Sequence, residues 1–201
     1  MPRKPHKSTQ DKNAGSLRII GGQLRGRKLS IANVPGLRPT TDRIRETVFN
    51  WLQFEFTDAQ VLDCFAGSGA LGFEALSRGA QLVILVEQDR QATQLLNDHA
   101  RTLSAACSGR ALVQPGDVLD FLTTPPAEPM DIVFVDPPFR LDLVDRTVAL
   151  LDQNQWVHEG SWVYIETEHD WRGDVPLHWR LHREKVAGQV AFRLFEVGVQ
   201  Q

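Results

Sequence analysis

Short apolar runs alternate along most of this chain with longer stretches whose apolar positions recur every three or four residues. QVLDCF (60–65), QLVILVE (81–87), RALVQ (110–114), DIVFV (131–135) and SWVYIE (161–166) read as strands. Between them, LGFEALSRG (71–79), RQATQLLNDHARTLSA (90–105), a short VLDFL (118–122) and LVDRTVALLDQ (143–153) read as helices, the first stopped by Gly79. The end, LHWRLHREKVAGQVAFRLFEV (177–197), reads as two strands joined near Ala187-Gly188-Gln189. Repeated βα units over about a hundred residues imply an α/β fold, a mostly parallel sheet with helices on both faces. The terminal hairpin extends that sheet antiparallel.

The pattern before residue 60 is different. Residues 1–16, MPRKPHKSTQDKNAGS, are polar and basic and read as a disordered arm. LRIIGGQLRGRKLSI (17–31) has two short strand-like runs around Gly21-Gly22, a hairpin signal. TTDRIRETVFNWLQF reads as a helix capped by Thr40 or Thr41, with Ile44, Val48, Trp51 and Leu52 on one face. Arg43 lies off that stripe, and Arg45 is read as exposed with it. The chain therefore divides into an arm (1–16), a hairpin and helix module (17–58) and an α/β domain (59–201).

Composition narrows the class. The 201 residues are 42% hydrophobic, enough for a globular core. Two cysteines, Cys64 and Cys107, make neither a disulfide framework nor a metal cluster, and no metal site is expected. The arm has no apolar signal-peptide core, and no stretch approaches a membrane span of about 20 apolar residues, so a cytoplasmic protein without membrane contact is expected. The net charge of −3 hides an asymmetry. Residues 1–46 hold eleven Lys/Arg against three Asp/Glu, a surplus of eight; the remainder holds eleven against twenty-two, a deficit of eleven. A basic module on an acidic body suggests a nucleic-acid contact. Arg18, Arg25, Arg27, Lys28, Arg38, Arg43 and Arg45 are the phosphate-binding candidates.

Two turns carry the chemistry. In DCFAGSGALG, Gly67, Gly69 and Gly72 form G-x-G-x-x-G between a strand and a helix, and Glu87 follows Gly67 by twenty residues at the next strand's end. That is nucleoside-cofactor spacing, with the carboxylate placed for ribose hydroxyls. A hydride cofactor brings a pyrophosphate; S-adenosylmethionine brings an ammonium and no phosphate. Asp63 suits the ammonium and Asp117 an adenine amino group, although Asp117 also fits a helix cap. The second turn is VDPPF (135–139), where a buried strand ends in an acid, two prolines and a ring. It is either a strand terminator or a ligand site. Beside a nucleoside cofactor it can hold a base: Phe139 stacks, and Asp136 and the Pro137 carbonyl accept from an exocyclic amino group, with the proline pair fixing the geometry.

These motifs resemble a known family. DCFAGSGALGFEALSRGA, VEQD, GDV and VDPPF are similar to class I S-adenosylmethionine-dependent methyltransferases acting on amino nitrogens of bases. RIIGGQLRGRKL, GLRPTTDRIRETVFNWL and LHREKVAGQVAFRLF narrow the likeness to the RsmD family, over about 17–197. The resemblance implies a Rossmann-like seven-stranded sheet with one antiparallel strand. It also implies methylation of guanine N2 in 16S ribosomal RNA, at guanine 966 by the enzyme's name, within a partly assembled small subunit carrying ribosomal proteins. Carried onto this chain, Asp63, Phe65, Ala66, Gly67, Ser68 and Gly69 hold the methionine part, Glu87 and Gln88 the ribose, and Asp117 and Val118 the adenine. Asp136, Pro137, Pro138 and Phe139 hold the target base. A monomer is expected. The rival readings are an adenine-N6 DNA methyltransferase, which the basic module and the lack of an inserted DNA-reading domain disfavour, an NAD-dependent oxidoreductase, which leaves the second turn unexplained, and a non-catalytic RNA-binding protein, against which the intact acids stand. Histidines 99, 158, 178 and 182 and the five tryptophans are read as non-functional, with His178 and His182 exposed on a strand, and ETEHD (166–170), acidic at a strand's end, as either a border of the target pocket or a solvated loop, the second favoured.

Overall fold

The computed structural model describes residues 15–32, 42–139 and 141–199. The sheet's strands are β3 (Gln60–Asp63), β4 (Leu82–Glu87), β5 (Arg110–Pro115), β6 (Met130–Val135), β7 (Val157–Glu168), β8 (Trp179–Ala187) and β9 (Val190–Val197). Their order is β5-β4-β3-β6-β7-β9-β8. All neighbours from β5 to β7 pair parallel, and β9 pairs antiparallel with both β7 and β8. Within this sheet β9 is thus the reversed strand, and the chain's order turns back between β3 and β6. Such a switch leaves a crevice at the carboxyl ends of the two strands, where ligands bind in open α/β sheets.

The strands are buried on both faces because each face is covered. Alternate residues serve the two cores: Val61 and Phe134 face one, Leu62, Val133 and Val135 the other. The first face takes α2 (Gly72–Ser77) and α3 (Arg90–Ser104), and the second α4 (Val118–Leu122) and α5 (Leu143–Gln153). Asp89 and Asp117 cap α3 and α4, each accepting two backbone amides of the first turn.

The N-terminal module shares the first core. Its hairpin, β1 (Ser16–Arg18) with β2 (Lys28–Ser30), buries Leu17 and Leu29, and α1 (Asp42–Trp51) sets Phe49 5.9 Å from Phe134 and Trp51 5.4 Å from Phe192. Buried Glu74 on α2 accepts the amides of Ile20 at 2.7 Å and Gly21 at 2.8 Å. At Gly22 the backbone has φ +74°, and a Cβ would stand 1.9 Å from the Ser77 carbonyl oxygen, so only glycine lets the hairpin lie this close to α2.

Four expectations change here. Arg45 is fully buried, not exposed, because α1 is covered by the hairpin as well as by the sheet; its Nη2 donates to the Arg18 carbonyl and to Asp42. ETEHD is a solvated turn only at His169 and Asp170: β7 runs to Glu168, and Glu166 and Thr167 are buried between β6 and β9. His178 is not exposed: it is partly buried and paired with Asp152 at 2.9 Å. The hairpin turn is wider than the Gly21-Gly22 pair, spanning the residues between Arg18 and Lys28. Arg38, Thr40, Thr41 and most of the arm lie outside the described residues.

Candidate active site

Four carboxyl groups stand at the carboxyl ends of four adjacent strands. In spatial order they are Glu87 (β4), Asp63 (β3), Asp136 (just past β6) and Glu166 (β7). They feel one another: the charges of Asp136 and Glu87 both act on Asp63, and that of Asp136 acts on Glu166. Burial and these neighbours push the Asp63 carboxyl up to about 7 and that of Glu166 up to about 8, burial being the larger cause in each. Carboxyls crowded in this way favour a cationic ligand and disfavour a pyrophosphate. Among the described residues no group of three His, Cys, Asp or Glu side chains converges to hold a metal ion.

The glycine turn is drawn in by the first two acids. Gly67 (φ +52°) donates its amide to Glu87 at 2.8 Å, and Gly72, the first residue of α2, donates to Asp63 at 2.9 Å. At Gly69 (φ +77°) a Cβ would stand 2.4 Å from the Phe73 ring, so the turn admits no side chain there. The Ala66 amide bonds to Val86 and the Gly116 amide to the Glu87 carbonyl, which brings the Asp117 turn against the same strand end. Phe65, Gly67 and Ser68 are half-buried, Ala66, Gly69 and Val118 buried, Gln88 and Asp117 exposed. Asp63, residues 65–69, Glu87, Gln88, Asp117 and Val118 thus all lie at or just past the carboxyl ends of three adjacent strands, β3, β4 and β5. Asp117 serves as the α4 cap here, accepting from Leu119 and Asp120, with its side chain still exposed.

The second turn adjoins the first. The Cys64 amide bonds to the Phe134 carbonyl at 3.0 Å, tying the end of β3 to the strand that delivers Asp136. Val133 and Phe134 have no exposed surface, while Asp136 and Phe139 are half-exposed, Pro137 is buried and Pro138 exposed. VDPPF is therefore the passage from core to rim. The sequence does not single out Glu166, although it offers ETEHD as one border of the target pocket. Its signal was an acid at the close of the apolar run WVYI, on the strand after VDPPF.

The cationic candidates separate into groups. Arg18 and Lys28 are direct cross-strand partners and both exposed, with Leu17 and Leu29 turned inward. Arg25 and Arg27 are exposed in the hairpin turn, whose Gln23 amide is held by the Ser77 carbonyl at the end of α2 remote from the glycine turn. Arg43 is exposed in the first turn of α1, whereas Arg45 is withdrawn from any phosphate.

The family model described as Conserved hypothetical protein 95 matches residues 17–196. The chain belongs to this family. The resemblance to the RsmD family, read from the motifs, is borne out. Ribosomal RNA small subunit methyltransferase D of Escherichia coli is 51% identical over 195 residues, 96% of this chain and 94% of that one. The protein of the same name from Haemophilus influenzae is 44% identical over 192 residues, 94% of this chain and 99% of that one. The solved structure of yhhF from Escherichia coli, 50% identical, superposes with a TM-score of 0.85 over 92% of this chain and all of that one. The fold is that of the class I methyltransferases.

Proposed function

We propose that this protein transfers a methyl group from S-adenosyl-L-methionine to the exocyclic N2 of a guanine in small-subunit ribosomal RNA. The observation that carries the reading is the row of four acids: two draw in a glycine turn, and the third begins DPPF on the adjacent strand. The names of the family's relatives supply the RNA class.

The residues fit that cofactor. Asp63 and the Phe65–Gly69 turn suit an ammonium and its carboxylate, Glu87 and Gln88 two ribose hydroxyls, and Asp117 and Val118 an amino-substituted ring. Bound there, S-adenosylmethionine supplies an electrophilic methyl group on sulfur, which the target nitrogen takes as the carbon–sulfur bond breaks. Asp136 and the Pro137 carbonyl accept the amino N–H groups and turn the nitrogen lone pair out of ring conjugation. The buried Pro137 and its neighbour Pro138 fix that acceptor pair, so the site acts by positioning and preorganised charge. Phe139 stacks on the base, worth about 1–3 kcal/mol. After transfer, the alkylated nitrogen loses its proton to Asp136 or to water.

A guanine in folded RNA must be unstacked to reach such a pocket. Arg18, Lys28, Arg25, Arg27 and Arg43 offer phosphate contacts along the module, and a partly assembled small subunit is the form of substrate we assign. The protein works as a monomer in the cytoplasm on this reading. The test is incubation of the full chain with labelled cofactor and small subunits from cells lacking the activity. Label in one guanine of the ribosomal RNA, mapped by mass to N2, is expected; label on adenine, or none, overturns the reading.

A further inference from the structure

We infer that Glu166 reads the target base: its Oε1 accepts the N1–H of a guanine whose N2 is held at Asp136, and this contact selects guanine over adenine. The inference rests on the guanine-N2 reading above and adds to it a specificity-determining residue.

The placement is set by the sheet. Phe134 pairs with Tyr164 and Val135 with Ile165, so continuing the register sets Asp136 beside Glu166. The Phe134 and Tyr164 rings meet edge to face at 6.1 Å, which shows the two strands presenting the same face at this level. Glu166, two residues on from Tyr164, returns to that face, and Asp136, one residue past β6, acts with its charge on both Tyr164 and Glu166. Neighbouring strands stand about 4.8 Å apart. That separation suits two acceptors each reaching one of two adjacent N–H groups on the edge of a base.

The state of Glu166 supports a role with a ligand. It is 6% exposed and lies in the field of Asp136. No cation is paired with it among the described residues. Arg193, on the adjacent β9, is committed to Glu184 at 2.7 Å and Thr167 at 2.9 Å. What Glu166 does have is the Tyr164 hydroxyl, which donates to Oε2 at 2.8 Å. This bond orients the carboxyl and leaves Oε1 without a hydrogen bond among the described residues. A carboxyl buried beside another acid and turned by a single neutral hydroxyl is costly for the fold alone. A donor arriving with the substrate offsets that cost. Because the Tyr164 hydroxyl occupies Oε2, the contact is made by the ionised carboxylate, a form that an N–H donor arriving at Oε1 favours.

The discrimination follows from the edge of the base. Guanine presents N1–H next to its N2 amino group; adenine presents a bare N1 next to its N6 amino group. With the amino group at Asp136, an acceptor at the next position satisfies guanine and opposes the lone pair of adenine. A site built to hydrogen-bond a substrate group rejects an analogue lacking it strongly.

The experiment uses the full chain and small-subunit particles whose target position carries either guanine or 2-aminopurine. Both have a 2-amino group, and 2-aminopurine has a bare N1. Wild type is expected to methylate guanine at least about a hundredfold faster under single-turnover conditions. In Glu166→Gln, whose amide N–H₂ can donate to a bare N1, the preference should fall below about tenfold. Equal rates on both bases in the wild type overturn the inference with no variant needed. Loss of activity by the same factor on both bases in a folded Glu166→Gln also overturns it and makes the residue structural. A wild type that leaves the guanine particle unmethylated indicts the guanine-N2 reading instead.

Discussion

Glu74 on α2 receives the backbone amide of Gly21 at 2.8 Å, across 53 positions of the chain. The same carboxylate takes the Ile20 amide and pairs with Arg78 at 2.8 Å, without any exposure to solvent. Since α2 begins at the glycine turn, one buried acid ties the basic hairpin to the helix that leaves that turn. Glu74→Ala leaves two amides and a largely buried guanidinium without their partner. We expect a loss of about 3–5 kcal/mol in urea unfolding, the scale for breaking a buried pair. A loss under 1 kcal/mol would show that the hairpin holds without this anchor.

Glu87 draws in the Gly67 and Asp89 amides, at 2.8 and 2.7 Å. Glu87→Ala removes both contacts and the carboxylate proposed to accept from the ribose. Cofactor affinity should weaken by about 1–3 kcal/mol. Calorimetry giving an unchanged Kd in a folded variant removes Glu87 from the site.

Asp136→Ala should keep the fold and bind the cofactor nearly as well, because Asp63, Glu87 and Asp117 lie on the other half of the rim. Methyl transfer should fall at least about a hundredfold, the scale for losing one preorganised partner. Asp136→Asn keeps one acceptor oxygen without the charge, so its rate relative to Ala separates orientation from charge. Single-turnover rates at saturating cofactor measure both; near wild-type turnover by the Ala variant would falsify the mechanism.

The raised carboxyls fix the pH dependence of stability. Asp63, pushed up to about 7 from 3.8, and Glu166, pushed up to about 8 from 4.5, bind protons in the folded chain where the unfolded chain has released them. Their contribution is fully present below about pH 4 and is lost as pH rises through 7 to 8. Asp63→Asn and Glu166→Gln should therefore gain stability relative to wild type between pH 5 and 8, by an order of a few kcal/mol at most. Melting curves across that range test the sign. A cation at Asp63 favours its ionised form, so cofactor binding should tighten from pH 6 to 8 and release protons.

Arg18 and Lys28 are like charges directly opposite on a two-stranded ribbon, an arrangement that costs stability until an anion lies between them. RNA affinity should fall with salt, with a slope in log–log form of about −0.7 per neutralised phosphate on single strands. Neutralising Arg18, Arg25, Arg27 and Lys28 together should flatten it, whereas Arg45→Ala should act on folding, since that side chain is buried. An unchanged slope in the folded quadruple variant makes these cations bystanders.

The order and kind of the α/β elements are legible from residue pattern alone, because strands buried on both faces and helices with one apolar stripe differ in period. Both turns are legible in the same way. Glycines at positive φ, as at Gly67 and Gly69, and a proline pair beside an acid are local requirements written in residue type. Tertiary structure decided what depends on neighbours distant in sequence. Arg45 reads as a surface cation until the hairpin folds over α1 and supplies the Arg18 carbonyl. Glu166 reads as part of a solvated loop or of a pocket border, and nothing local separates the two until β9 pairs along β7 and Tyr164 turns its carboxyl. Its place beside Asp136 comes from the β6–β7 register, thirty residues apart in the chain, and register is a property of the assembled sheet.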